Sequence, residues 1–305
     1  MKTRILAFAG LWVAVLLLWW PVTSAVVHLG LHDERYVQIM VAPLLAGFLI
    51  YWERNRIFER VEWSPGIGFV AFLLCLVPYL TFLRASARAT EGALPLAAGL
   101  MIGATMAVFM ACFGVRAFRA ALFPLCCLLL MAPVPSAWMD RLTADLQHAS
   151  AVTSVAILRL AGVPVFAQGN RMQLPGLEIE VAPECSGIHS FLSLALVALC
   201  VGRICLGSGW NRLVLVAATV PFAIFKNAVR ISVIASLGAY VNRAFLFGRI
   251  HHYGGLVFTP LAILLLFGLL IALQRFEAWF TKSGGEAMRD GSPKLVLWSE
   301  SRNVN

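Results

Sequence analysis

Charge is scarce in this chain. Only 13% of its 305 residues are charged and 60% are hydrophobic, whereas about a quarter of an ordinary soluble domain is charged. A water-soluble globular fold is therefore excluded. Acidic residues are scarcest, 15 Asp and Glu against 24 Lys and Arg, for a formal charge of +9. In a soluble protein that excess would suggest nucleic acid, but here the basic residues fall in short loops between apolar runs, as orientation in a membrane requires. No nucleic-acid partner is expected. Cysteines number seven, and six of them (Cys75, Cys112, Cys126, Cys127, Cys200 and Cys205) lie in or at the ends of apolar runs, where a thiol packs as a small hydrophobe. They form no disulfide framework; Cys185 alone has polar neighbours. The six histidines cannot be assembled with other ligands into a metal set, so neither metal nor cofactor is expected. A convincing small-residue cleavage site is also lacking, Ser24-Ala25 being the nearest, so the first apolar run reads as a retained span.

What is present is a succession of long apolar runs. A helical span needs about 20 apolar residues, and about eight segments qualify, near 5–27, 36–52, 66–84, 94–114, 120–137, 187–206, 213–239 and 255–274. The fifth is interrupted by Pro124, Pro133 and Pro135, which a membrane helix tolerates only where neighbours satisfy the freed carbonyls. Basic loops stay cytoplasmic. Arg54, Arg56, Arg60, Arg116, Arg119, Arg203, Arg212 and Arg275 fall in loops of one side, which places both termini inside. The lipid bilayer is thus the first partner of this all-α, polytopic transmembrane bundle.

That topology puts the stretch after the fifth span outside. Its first half, 138–161, has Leu142, Leu146, Ala149, Val152, Ala156 and Leu160 near helical spacing, with Asp140, Arg141, Asp145 and Gln147 opposite. It reads as an amphipathic helix along the interface, with a re-entrant or spanning helix as the alternative. The second half, 163–181, carries Gly169-Asn170 and Pro175-Gly176 between short alternating pieces, the signature of a small β-hairpin capping the outer face. The tail from 276 contains Ser283-Gly284-Gly285 and mixed charges and reads as a flexible end.

Three segments carry reactive side chains. Glu184-Cys185-Ser186-Gly187 stands just before the sixth span. A thiol attacks as thiolate, which cations and helix N-termini favour and the neighbouring Glu184 disfavours; the amides after Gly187 offer an oxyanion hole. A packing cysteine would fit the same position. Arg230 lies inside an apolar run, where an arginine costs about 2.5–3.5 kcal/mol on insertion scales. Asn227 and Lys226 precede it by three and four residues on the same helical face. Counting about 1.5 Å per residue from Leu213 sets Arg230 some 26 Å along the helix, in the outer half of the bilayer with Cys185. A snorkelling arginine or an Arg-Asn clamp is the plainer reading. His251 and His252 precede the last span with Gly254-Gly255 and supply a general acid or base. His189, one turn beyond Cys185, competes for that role.

In this order, Glu184-Cys185-Ser186-Gly187-Ile188, Asn227-Ala228-Val229-Arg230-Ile231 and His251 with Gly255 resemble the three signatures of the exosortase/archaeosortase family, integral membrane proteins proposed to act as cysteine transpeptidases. The likeness extends over 123–270, through Phe123-Pro124-Leu125, Met131-Ala132-Pro133-Val134-Pro135 and Gly162-Val163-Pro164-Val165. It implies Cys185 as nucleophile, Arg230 as the cation for the substrate carbonyl or oxyanion, and His251 as acid/base, with His252 one residue away. Glu184, Ser186, Gly187, His189, Asn227 and His252 would support or bind substrate. The implied division is N-terminal helices over 1–119, an exosortase-like catalytic core over 120–275 and a cytoplasmic tail over 276–305. The implied substrate is a membrane-anchored protein with a C-terminal sorting signal, in a bacterial inner membrane and linked to polysaccharide-assembly proteins, with the reactive centre facing the periplasm. Two alternatives stand beside it: a membrane acyltransferase using Cys185, and a non-enzymatic subunit of exopolysaccharide assembly or export.

Overall fold

The computed structural model describes residues 1–83, 92–181, 186–246 and 249–289. Helices α1 (Lys2–Leu18), α2 (Trp20–His32), α3 (Gln38–Trp52), the short α4 (Arg54–Ile57), α5 (Pro65–Pro78) and α6 (Ala93–Ala120) form the first half. The second half holds α7 (Leu122–Cys127), α8 (Ser136–Leu160), strands β1 (Phe166–Gln168), β2 (Arg171–Leu174) and β3 (Leu177–Glu180), then α9 (Ile188–Cys205), α10 (Gly209–Ala217), α11 (Thr219–Tyr240) and α12 (Arg249–Arg289). The expected polytopic helical bundle with a small sheet is what forms.

Among the described residues five helical stretches are long and apolar enough to cross a membrane, and seven if each of two bent pairs is one span. With the shorter apolar α3 they coincide with the eight segments expected, but two of those are not straight. The first breaks at Trp19 into α1 and α2 with an 85° bend. Pro21 opens α2 and has no N–H to continue the helix; Trp19 at the break is fully buried and stacks on Tyr79 with centroids 4.7 Å apart. The fifth breaks at the prolines: a 3-10 turn (Leu128–Met131) ends α7, and α8 leaves at 93°. The bent pair has the form of a broken span or a re-entrant loop.

Small residues set the close helix contacts, because in lipid the driving force between helices is close packing and not apolar burial. A Cβ on Gly68 of α5 would collide with the Ala111 Cβ on α6. Inside α6, Gly114 adopts φ 90 and ψ 166, a conformation open to glycine. The Glu62 and Ser64 amides then bond the Phe113 and Ala111 carbonyls at 3.2 and 3.1 Å, satisfying groups that the kink releases.

The buried face of α8 departs from the expected stripe. Met139, Thr143, Leu146, Ser150, Ser154 and Leu158 are buried, whereas Val152 and Leu160 are exposed, the latter 89%. The Ser154 Oγ bonds the Ser150 carbonyl at 2.6 Å and the Ala228 carbonyl at 3.3 Å, and Ser232 Oγ bonds the Ser154 carbonyl at 3.2 Å. Small hydroxyl residues thus join α8 to α11 beside the buried Ala151, Val155 and Leu158, while Val152, Ala156 and Leu160 turn outward.

The expected hairpin is β2–β3, pairing Met172 with Ile179 around Pro175-Gly176, and β1 extends it through Gly169-Asn170 into a three-stranded antiparallel sheet. Met172, Leu174 and Val181 pack on Val155 and Leu158 of α8 and on Ile231 and Ala235 of α11. The tail also differs from expectation at its start: α12 stays helical to Arg289. Its Glu277 accepts the Gly207 and Ser208 amides at 3.0 and 2.8 Å and the Asn211 amide at 2.9 Å, an anion on a helix N-terminus that holds this stretch against α10. Residues 290–305 of the tail lie outside the described residues.

Candidate functional site

Helix α9 runs antiparallel to α10 and α11. A Cβ on Gly202 would touch Leu215 and Arg212 at one end; one on Gly187 would stand 3.3 Å from Asn227 at the other. Gly187 is the left-handed N-cap of α9, φ 83, which is open to glycine without strain and lets the backbone lie on Asn227. Ser186 is 1% exposed and accepts the Ile188 amide at 3.4 Å. Asn227 is fully buried, and Arg230, one turn on, is half-buried.

Glu184 and Cys185 belong to 182–185, outside the described residues. Both flanks of that four-residue segment are anchored. On one side the buried Val181 receives the Gln147 side-chain amide of α8 on its carbonyl and donates its own amide to Asn170 at 2.9 Å. On the other side Ser186 and Gly187 sit against α11. Gly187 near the end of the first motif and Asn227 at the start of the second, 40 residues apart in sequence, are therefore in contact. The third motif is represented by backbone: His251 and His252 lie in the first turns of α12, which packs against α9 and α11, and their side chains lie outside the described residues.

Lys226, absent from the candidate site residues chosen on the sequence, is 1% exposed, and its amine donates to the Ser190 hydroxyl in the first turn of α9. Its position in an apolar run was the available signal, since an intramembrane lysine is rare without a reason.

Also unexpected is a brace between α2 and α8. Arg35 donates Nε to Asp33 Oδ1 at 3.0 Å, Nη2 to Asp33 Oδ2 at 2.7 Å and Nη1 to Asp140 Oδ1 at 2.7 Å, while the Tyr36 hydroxyl donates to the Val134 carbonyl at 2.8 Å. The hydrogen-bonded Arg35 holds the Asp33 carboxyl below the usual carboxylate range despite its partial burial, and the nearby His189 adds to that effect. His189 therefore stands beside an anion that no local pattern announces, because Asp140 lies over 100 residues from Arg35.

The arrangement supplies buried amide and cationic donors beside a helix N-terminus, suited to holding developing negative charge. Among the described residues no three His, Cys, Asp or Glu side chains converge as a metal site requires.

The sequence model of one family, described as transmembrane exosortase, matches residues 19–268. No curated protein and no solved structure matches the chain.

Proposed function

The chain is a member of the transmembrane exosortase family, and we propose that it is a membrane cysteine transpeptidase that cleaves C-terminal sorting signals of exported proteins at the outer face of a bacterial cytoplasmic membrane. The observation that carries this reading is the anchoring of the residues on either side of 182–185, Val181 by Gln147 of α8 and Gly187 on Asn227 of α11, one turn from Arg230. Fixed flanks and a fixed cation are what a positioned nucleophile requires.

In the proposed sequence, the Cys185 thiolate attacks the scissile carbonyl of a membrane-anchored substrate. Negative charge collects on the carbonyl oxygen, where Arg230 and the first amides of α9 stabilise it. The C–N bond breaks, the leaving amine takes a proton from the acid/base histidine, and a thioester remains on Cys185. A second nucleophile or water then resolves that thioester. His251 is assigned the proton transfer, and His189, with Asp33 beside it, positions substrate.

The orientation draws on the two ends of the bundle. Arg54, Arg56, Arg203 and Arg212 lie at the end opposite the sheet, which supports a cytoplasmic assignment for that end and both termini. The substrate's transmembrane tail docks between spans, and polysaccharide-assembly proteins are the proposed cellular partners.

Co-expression with a tailed substrate, followed by gel-shift analysis and trapping of the adduct, tests the reading. A thioester-linked peptide on Cys185 is expected. An acyl-chain adduct would point to acyl transfer, and undiminished function of Cys185→Ala to a non-enzymatic subunit; either result overturns the proposal.

A further inference from the structure

Helices α1 and α3 part at the end of the bundle opposite the sheet. There α1 packs on α6 while α3 packs on α7 and α9, and a cleft of about 620 Å³ opens between them, a volume in the range of small-molecule sites. Glycine keeps it open: a Cβ on Gly47 of α3 would meet nothing within 4 Å. The floor is firm, because the Phe58 ring just after α4 rests on Phe113 of α6 with centroids 5.1 Å apart.

Polarity is divided along this cleft. Ile5 of α1 and Gly47 and Ile50 of α3 line its inner part, and Tyr51, Arg54 and Asn55 line its mouth. The seven residues from Gly47 to Arg54 cover about 10 Å along a helix. Arg54 donates Nη1 to the Tyr51 carbonyl at 3.0 Å, and its guanidinium lies 4.3 Å from the centroid of the Tyr51 ring, a stacking that holds the planar group in place. Among the described residues no carboxylate pairs with it. Glu53, its neighbour in sequence, is turned to Arg203 and Arg56, and Glu62 takes Arg116.

Either simple occupant leaves half of the cleft unmet. A bare acyl chain would cover Ile5 and Ile50 and leave the guanidinium without an anion, whereas a free anion would do the reverse. Since α1 belongs to a bent apolar span and α3 is itself an apolar helix, the surrounding medium is lipid, in which both halves come in one molecule. We propose that the cleft is a binding site for an anionic phospholipid, whose phosphate accepts from Arg54 and Asn55 while one acyl chain lies along Gly47 and Ile50 against Ile5. The inference is independent of the chemistry assigned to Cys185.

The test is native mass spectrometry of the full-length protein in mild detergent, titrated with dioleoyl phosphatidylglycerol or dioleoyl phosphatidylcholine. The first phosphatidylglycerol is expected to bind about fivefold or more tighter than phosphatidylcholine, the factor that one basic residue contributes at an anionic membrane surface. Arg54→Gln should remove that preference, and Arg119→Gln, exposed on α6 at the same end, should match the parent. Gly47→Phe fills the apolar part and leaves the charge in place, so it should abolish the tight phosphatidylglycerol site; should it fail to accumulate, Gly47→Leu is read the same way. Glycerol 3-phosphate in molar excess, which carries the headgroup charge without chains, should not displace the lipid. A parent with no preference overturns the proposal, as does an equal loss in Arg54→Gln and Arg119→Gln, which would make diffuse surface charge responsible. Undiminished binding in the Gly47 variant, or full displacement by glycerol 3-phosphate, overturns it too, because the acyl chain would then contribute nothing.

Discussion

The two ends of the bundle bury charge in different ways, although surface ion pairs such as Arg35–Asp33 occur at the site end too. At one end Arg203 grips Glu53 with two bonds, Nε to Oε1 at 2.8 Å and Nη2 to Oε2 at 2.6 Å, and Glu277 seats on the amides that open α10. Arg116 pairs with Glu62, and Arg4 lies 5.0 Å over the Trp63 ring. There charge meets opposite charge, backbone dipole or aromatic face. At the other end a buried lysine donates to a serine, a half-buried arginine follows one turn later, and a glycine N-cap lies on the asparagine between them. Positive charge gathered beside a helix N-terminus is suited to an anion, and the proposed reaction would form one there.

That contrast is sharpened first at Cys185. Replacement by Ala or Ser is expected to lower substrate processing at least about a thousand-fold with normal insertion and abundance, whereas Cys126→Ala or Cys200→Ala stays near the parent. Equal losses at all three would erase the distinction between reactive and packing thiols. Arg230 comes next: Arg230→Ala should remove about 10²–10³-fold of activity, and Arg230→Lys most of the same, because an ammonium does not reproduce the fork of a guanidinium. Near-normal processing by Arg230→Lys would reduce its role to plain charge.

The histidines follow. His251→Ala should cost about 10²-fold or more, His189→Ala less and His252→Ala least. The rate should show a limb near pH 6.5 that vanishes in the His251 variant. Normal activity in His251→Ala beside a dead His189→Ala would move proton transfer to α9, next to Asp33.

Smaller effects are expected where charge is paired. Arg203→Ala strands the Glu53 carboxylate, whose side chain is 11% exposed, and should lower thermal stability in detergent by about 1–3 kcal/mol with turnover per folded molecule unchanged. A fall in turnover at full stability would contradict the division between the ends. Smallest is the Asp33 brace. Because Arg35 holds the Asp33 carboxyl below its unfolded value, its stabilisation is complete above about pH 4 and is lost as pH falls through the lower folded value. Melting temperature should therefore show no pH dependence from Asp33 between pH 6 and 8. Asp33→Asn should cost under about 1 kcal/mol, since Arg35 is 37% exposed and water screens the pair.

Much of the fold was legible because it is local. Long apolar runs read as helices, since a chain in lipid must satisfy its own backbone, and Pro175-Gly176 and Gly169-Asn170 marked the sheet's turns. The chemistry-bearing segments were legible as rare polar residues in apolar surroundings. The buried face of α8 was not. A hydrophobic stripe predicts burial when water is the alternative, but lipid accepts an exposed Val152 or Leu160, and the buried face runs instead through Leu146, Ser150, Ser154 and Leu158.

By itself, then, the sequence determined a multi-pass helical membrane protein, the proline interruption of its fifth apolar run, and the order of its three motifs, all consequences of composition and of backbone limits within a few residues; the bend at Trp19 and the kink at Gly114 it did not announce. Tertiary structure alone decided that Gly187 lies on Asn227, that Lys226 reaches Ser190, and that Arg35 bridges Asp33 to Asp140. The physical reason is separation along the chain: each contact joins different helices, and its energy comes from close packing and desolvated charge, which exist only once those helices have met.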